Sequence, residues 1–186
     1  PFLVGSGQQE GLSFVNSQLV ENIEFSAGGF AAEYGDKMSS VLDVTYKKPK
    51  ETAGSLTLSL FGAEAHVEGA TKNEKFSYLV GARYKNTALA LGMMNTKGDY
   101  KPNFTDAQAL FNFKFNEEWR LSFLGYYSKN HYMLIPQNAQ INFGTIDLPL
   151  QLNVYFDGQE IDDYTTGLGA LTLSYKPNKD LNLKWI

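Results

Sequence analysis

The chain is predicted to be an all-β protein of antiparallel strands, and three observations carry that expectation. Apolar and polar residues alternate with a period of two from about residue 54 onward. The connections between the alternating stretches are by turns short and long. The composition favours strands and tight turns over helices, with 13 Phe, 11 Tyr and 17 Gly beside only 2 Trp.

Taken in order, Leu56, Leu58 and Leu60 alternate with Ser55, Thr57 and Ser59, and after Gly62 the residues Ala63, Ala65 and Val67 alternate with Glu64, His66 and Glu68. Phe76, Tyr78, Val80, Ala82 and Tyr84 follow, opposed by Ser77, Gly81, Arg83 and Lys85, with Leu79 the one apolar exception. Ala107, Ala109, Phe111, Phe113 and Phe115 oppose Asp106, Gln108, Asn112 and Lys114. Trp119, Leu121, Phe123 and Tyr127 oppose Arg120, Ser122 and Ser128. Leu171, Leu173 and Tyr175 oppose Thr172, Ser174 and Lys176, and Leu181, Leu183 and Trp185 begin the pattern once more. This makes about seven strands, most near the roughly 9 to 11 residues that a tilted strand needs to cross a bilayer.

Alternation alone also suits a soluble sandwich with one face in its core, so the connections are the discriminating feature. Thr71 to Lys75, Asn116 to Glu118 and Pro177 to Asp180 are short and polar, whereas Thr87 to Phe104 and Lys129 to Tyr164 are long. Strict alternation of this kind is expected of a barrel threaded through a membrane, with tight turns on one side and long loops on the other. The aromatics Phe76, Tyr84, Phe115, Trp119, Tyr127, Tyr175 and Trp185 lie near strand ends on the apolar face. Rings with one oily and one wet edge collect there in membrane barrels. An antiparallel transmembrane β-barrel is therefore expected, with outer-membrane lipids as its surroundings.

Bulk properties narrow the function. There is no run of about 18 apolar residues, which excludes a transmembrane helix but not a barrel. A net charge of −4 gives no electrostatic footprint for nucleic acid. Cysteine is absent, so neither a disulfide scaffold nor a thiolate metal site is available. The chain starts at Pro1 without a leader and stops inside an alternating pattern at Trp185 and Ile186, which reads as an internal fragment of a longer protein.

Residues 1–49 are organised differently. Gly5, Gly7, Gly11, Gly28, Gly29 and Gly35 punctuate them, and two strands are expected, Leu19 to Phe25 and Ser40 to Lys47. The run Val20-Glu21-Asn22-Ile23-Glu24-Phe25, then Gly28-Gly29-Phe30, Ala32-Glu33-Tyr34-Gly35, Ser39-Ser40-Val41-Leu42-Asp43-Val44 and Lys47-Lys48-Pro49 resembles the end of a TonB-dependent receptor plug. The usual arginine and proline at the first turn are replaced by Ser26-Ala27-Gly28-Gly29-Phe30, and Ser39-Ser40 stands where glycines are common, variants that look like the Bacteroidota type.

The resemblance implies a division into the C-terminal part of a lumenal plug, 1–49, and the first strands of the barrel, 50–186, a wall of roughly 22 strands in all. It implies a receptor in the outer membrane of a Gram-negative bacterium that binds a scarce nutrient at the cell surface. Import to the periplasm would be driven by a TonB-type energy-coupling protein acting through a segment outside this sequence. The ligand would be a small molecule, glycan or peptide, and a surface lipoprotein that hands it over is a further partner the resemblance allows.

Substrate contacts are expected from Tyr34 of the Tyr-Gly pair, which the resemblance places toward the cavity, the bland alternative being turn packing beside Gly35. In the loop Lys129 to Tyr164, the residues Tyr155, Asp157, Glu160, Asp162, Asp163 and Tyr164 would suit a sugar or a cation, although acidic loop tips are usually only solvated. Asp157 to Asp163 lacks EF-hand spacing, and no metal is expected there. Arg83, Lys85, Lys114 and Arg120 would face the lumen, pairing with plug carboxylates or water, or else serving anion passage. His66 and His131 lie in different segments and no nucleophile elbow or phosphate loop is present, so neither catalysis nor a cofactor is expected. A passive or structural barrel and a soluble β-sandwich binding module are the alternatives.

Overall fold

The computed structural model describes residues 3–4, 12–13, 15–31, 34–35, 39–86, 88, 92–93 and 98–186. Gly5, Gly7, Gly11, Ala32, Glu33 and Thr87, singled out above, lie outside the described residues. The fold is all-β, and every strand pairing is antiparallel.

Two short strands, β1 (Leu3–Val4) and β2 (Leu12–Ser13), pair with each other, and a single 3-10 turn, Ser17–Leu19, follows. Asn16 caps that turn by accepting the Gln18 amide on its side-chain oxygen at 3.0 Å. β3 (Val20–Ala27) and β4 (Ser40–Tyr46) form a separate hairpin with an irregularity between Val20 and Asn22. These are the two strands expected in this region, displaced by one or two residues at their ends. Lys47 donates its amide to the Leu19 carbonyl at 3.0 Å, closing the base of the hairpin onto the 3-10 turn.

The main sheet is a meander of seven strands in chain order. It comprises β5 (Ala53–Ser59), β6 (Gly62–Ala70), β7 (Phe76–Asn86), β9 (Asn103–Lys114), β10 (Trp119–Pro136), β13 (Glu160–Tyr175) and β14 (Leu183–Trp185), with the short β8 (Gly98–Tyr100) added beside β10. Those seven are the seven expected. The sheet is open, with β5 and β14 as its two ends.

The three polar turns share one device. Asn73, Asn116 and Asn178 each accept, on the side-chain oxygen, the amide two residues on, from Lys75, Glu118 and Asp180. At the other end of the sheet strict alternation of connection length fails. β5 and β6 are joined through Leu60 and Phe61 alone, and the reversal depends on Gly62, where φ is +146° and an added Cβ would lie 2.0 Å from the Tyr84 carbonyl oxygen.

The stretch Lys129 to Tyr164 is not a loop. β10 continues to Pro136, β13 starts at Glu160, and between them β11 (Ala139–Gly144) and β12 (Pro149–Val154) make a further hairpin. The pairing of β10 with β13 runs unbroken from Trp119↔Tyr175 to Leu134↔Glu160. The stretch Thr87 to Phe104 likewise contains β8 and the start of β9.

Register assigns each residue to a face. One face carries Leu56, Val67, Tyr78, Val80, Tyr84, Phe111, Phe113, Trp119, Leu121, Phe123, Tyr127, Leu171, Leu173, Tyr175 and Trp185. No second layer covers it among the described residues, and its side chains stand bare: Leu58 is 73% exposed and Leu171 is 56% exposed. Near the short turns the rings gather in two groups. Phe76 packs against Phe113 in a tilted arrangement with centroids 4.7 Å apart, and Trp119 stacks with Tyr175 at 4.3 Å and with Trp185 at 6.3 Å.

The opposite face is polar and partly covered. The 3-10 turn packs on β7, and the buried residues Leu19, Leu79, Arg83, Phe104, Asp106, Gln108, Ser128 and Asn130 are found on this side. Leu79, the exception in the alternation of β7, joins Leu110 and Leu124 in one apolar row crossing this face. The main sheet thus has its polar face partly covered and its apolar face bare among the described residues, the reverse of a sandwich module, whose apolar faces meet.

Candidate functional site

The best-defined site is the seam between the polar face and the N-terminal segment lying on it. At its centre Arg83 on β7 faces Asp106 on β9 in the strand register. The guanidinium Nε donates to one carboxylate oxygen at 2.9 Å, and Nη2 donates to the other, a bidentate pair whose side chains are 8% and 1% exposed. Arg83 Nη1 also donates to the Val15 carbonyl at 3.0 Å, and the Phe104 ring lies 5.7 Å from the guanidinium carbon. One residue of the sheet therefore holds both its neighbouring strand and the chain that crosses above it.

Flanking bonds extend the seam. Gln108 donates to the Tyr46 hydroxyl at 2.6 Å, joining β9 to the end of β4. Burial pushes the Tyr46 phenol pKa up, an effect the Gln108 hydrogen bond partly offsets. Ser55 donates to Gln18 at 3.5 Å and is hydrogen-bonded to His66 Nδ1 at 2.7 Å, while His66 Nε2 lies 3.7 Å from Glu68. Gly81 permits the close approach: an added Cβ would meet Asn16 Nδ2 and the Leu19 methyls at 3.0 to 3.1 Å.

The residues expected to contact substrate do not form one cluster. Tyr34, between β3 and β4, donates its hydroxyl to Asp43 at 2.5 Å and so ties down its own hairpin. Tyr155 and Asp157 sit exposed in the connection from β12 to β13, where Glu160 begins β13. Asp162 and Tyr164 lie on the polar face of β13, whereas Asp163 points to the opposite face and is hydrogen-bonded to His131 Nδ1 at 2.8 Å. A single ligand-binding loop from Lys129 to Tyr164 is replaced by strand extensions that split these acids between two faces.

Arg83, Lys85, Lys114 and Arg120 do share the polar face. The acid that meets Arg83 is its strand neighbour Asp106, and the crossing segment supplies a backbone carbonyl. Lys114 donates to Glu117 of the following turn at 2.6 Å. Asp106, Gln108, Asn16 and Tyr46 are the seam residues that sequence reasoning did not single out. Alternation places Asp106 and Gln108 on the polar face, but only the register of β7 against β9 sets Asp106 opposite Arg83. Among the described residues no group of three or more His, Cys, Asp or Glu side chains could hold a metal ion.

Comparison with protein-family models, with curated proteins and with solved structures finds no match.

Proposed function

We propose that the chain is part of a TonB-dependent outer-membrane receptor that imports a nutrient, residues 1–49 being the end of its plug and residues 50–186 the first strands of its barrel wall. The observation that carries this reading is the inverted sheet. Its polar face is covered by the N-terminal segment through Arg83, Gln108 and Ser55, while its apolar face, girdled by Phe76, Phe113, Trp119, Tyr175 and Trp185, is left bare.

Lipid is the solvent that makes such a face favourable. Trp119 and Tyr127 lie eight residues apart on it, roughly 26 Å along a strand at about 3.3 Å per residue and about 19 to 22 Å of depth at the usual strand tilt, within a few ångströms of an apolar band of about 25 Å. Beyond Tyr127 the same face turns polar, with Lys129 and the His131 to Asp163 contact. In water the bare face and the open ends at β5 and β14 would favour aggregation, so further strands are expected to close the wall.

Function on this reading is binding followed by gated passage, with no bond made or broken. A plug lying on the lumen face blocks free diffusion, and breaking its contacts with the wall is the step that a periplasmic energy-coupling partner would drive. The test is to express the full-length gene with its own leader, fractionate membranes, and compare boiled with unboiled migration in gels. Outer-membrane recovery with heat-modifiable migration is the expected result; a soluble monomer would overturn the reading and favour a binding module.

A further inference from the structure

The short-turn end of the polar face carries an unusual row of charge. Lys114 on β9 and Arg120 on β10 are direct cross-strand partners, Arg120 is paired on its other side with Ser174 of β13, and Ser174 is paired with Lys184 of β14. Three cations thus fall in one register row across four strands, two of them directly opposite, an arrangement that destabilises a sheet through like-charge repulsion. Among the described residues, Lys114 alone of the three has an acid within ion-pair distance, the exposed Glu117.

This row lines a cavity of about 730 Å³ between the wall and the chain leaving β4. Lys47, Lys48 and Lys50 complete its lining from the opposite side, against only Asp43 and Glu74. Six of the chain's 16 basic residues therefore meet at one cavity in a molecule of net charge −4. Its floor offers hydroxyl and amide groups, with Ser122 donating to Asn112 at 2.7 Å and Asn112 donating to Ser77 at 3.4 Å. The volume falls in the range of small-molecule sites, roughly 300 to 1,000 Å³.

We infer that this cavity binds an anionic solute bearing phosphate or carboxylate groups, held between Arg120 and Lys184 of the wall and Lys47, Lys48 and Lys50 of the crossing chain. Arg120 suits such a group because its planar fork can engage two oxygens at once, and the lysines add further positive charge around it. The row lies on the face opposite the apolar band, so lipid headgroups do not reach it. As a step in transport the site rests on the lumen reading above, and it narrows the imported nutrient to a class that carries negative charge.

The test is isothermal titration of the purified full-length protein in detergent with citrate and with inorganic phosphate, at ionic strength held constant with chloride. Saturable binding of one or both is expected, weakened roughly tenfold or more by Arg120→Gln and by Lys184→Gln, as loss of a charge-assisted hydrogen bond implies. Lys72→Gln, in the turn outside the cavity, is expected to leave it unchanged. Absence of saturable binding, or equal binding by Arg120→Gln and Lys184→Gln variants that retain heat-modifiable migration, would overturn the inference while leaving the barrel intact. Binding by a protein that lacks heat-modifiable migration would instead keep the site and remove the lumen reading.

Discussion

Arg83 and Asp106 form a buried bidentate ion pair between β7 and β9, and the same guanidinium holds the Val15 carbonyl of the segment lying on the sheet. Breaking one partner of such a pair strands a charge without solvent. Asp106→Ala is expected to destabilise the folded protein by about 3 to 5 kcal/mol, seen as a lower temperature for conversion to the slow-migrating gel form. The double replacement Arg83→Leu with Asp106→Leu removes both charges and is expected to recover much of that loss, because no ion is then left uncompensated.

Gly81 sits where Asn16 and Leu19 press on the wall. Gly81→Val is expected to lift the 3-10 turn while leaving the pairing of β7 with its neighbours intact, since the substitution adds bulk on the polar face only. Limited proteolysis checks it: cleavage near residues 15–19 is expected to accelerate, with barrel migration on unboiled gels retained.

The hydrogen bond from Gln108 to Tyr46 joins the same two layers. Tyr46→Phe is expected to cost about 1 kcal/mol in a denaturant or thermal melt, less than Asp106→Ala because no charge is involved. The raised Tyr46 pKa supplies a pH dependence. The phenol is held protonated in the folded state, so its contribution is complete below the ordinary tyrosine range and is lost as pH rises through the raised value. Wild type is therefore expected to lose seam stability at strongly alkaline pH, and the Tyr46→Phe variant to lack that component.

Glu117 is fully exposed, and the Lys114 hydrogen bond and charge, with a smaller contribution from Arg120, hold its pKa below the ordinary range. The contact is therefore present above the ordinary carboxylate range and lost as pH falls through the lowered value. Titration of a carbon-labelled Glu117 carboxyl by NMR is expected to show a lowered midpoint that returns toward normal in Lys114→Gln, with little change in melting because exposed pairs contribute little.

Much of the main sheet was legible in the sequence because its two faces differ in polarity. All seven alternating stretches became strands of the meander, and the short polar connections Thr71 to Lys75, Asn116 to Glu118 and Pro177 to Asp180 became its tight turns. The reading failed where the contrast between the faces fades. β10 continues through Asn130, His131, Tyr132 and Met133, yet Lys129 and His131 occupy positions that are oily lower down, so the period of two is no longer visible in polarity although the backbone stays extended. The same fading made Asp162, Asp163 and Tyr164 look like loop residues. The seam was hidden for a different reason: Arg83 and Asp106 meet through a register set across the long connection between β7 and β9, which local pattern does not encode.

Leu171, paired with Phe123 on the apolar face, distinguishes lipid from water as the surroundings of that face. In water an exposed leucine tolerates exchange within about 0.5 kcal/mol, whereas arginine facing lipid at the midplane costs about 2 to 4 kcal/mol. Leu171→Arg is expected to show the larger cost in the melting of vesicle-inserted protein.

The most direct measurement of the central claim is a nitroxide scan of residues 119 to 128 in full-length protein reconstituted into lipid vesicles, reading collisions with oxygen, which partitions into lipid, and with a water-soluble nickel complex. The account expects oxygen contact to peak at Trp119, Leu121, Phe123, Gly125 and Tyr127 and to fall at the positions between them. Nickel contact high at those same five positions, or no period of two along β10, would contradict it.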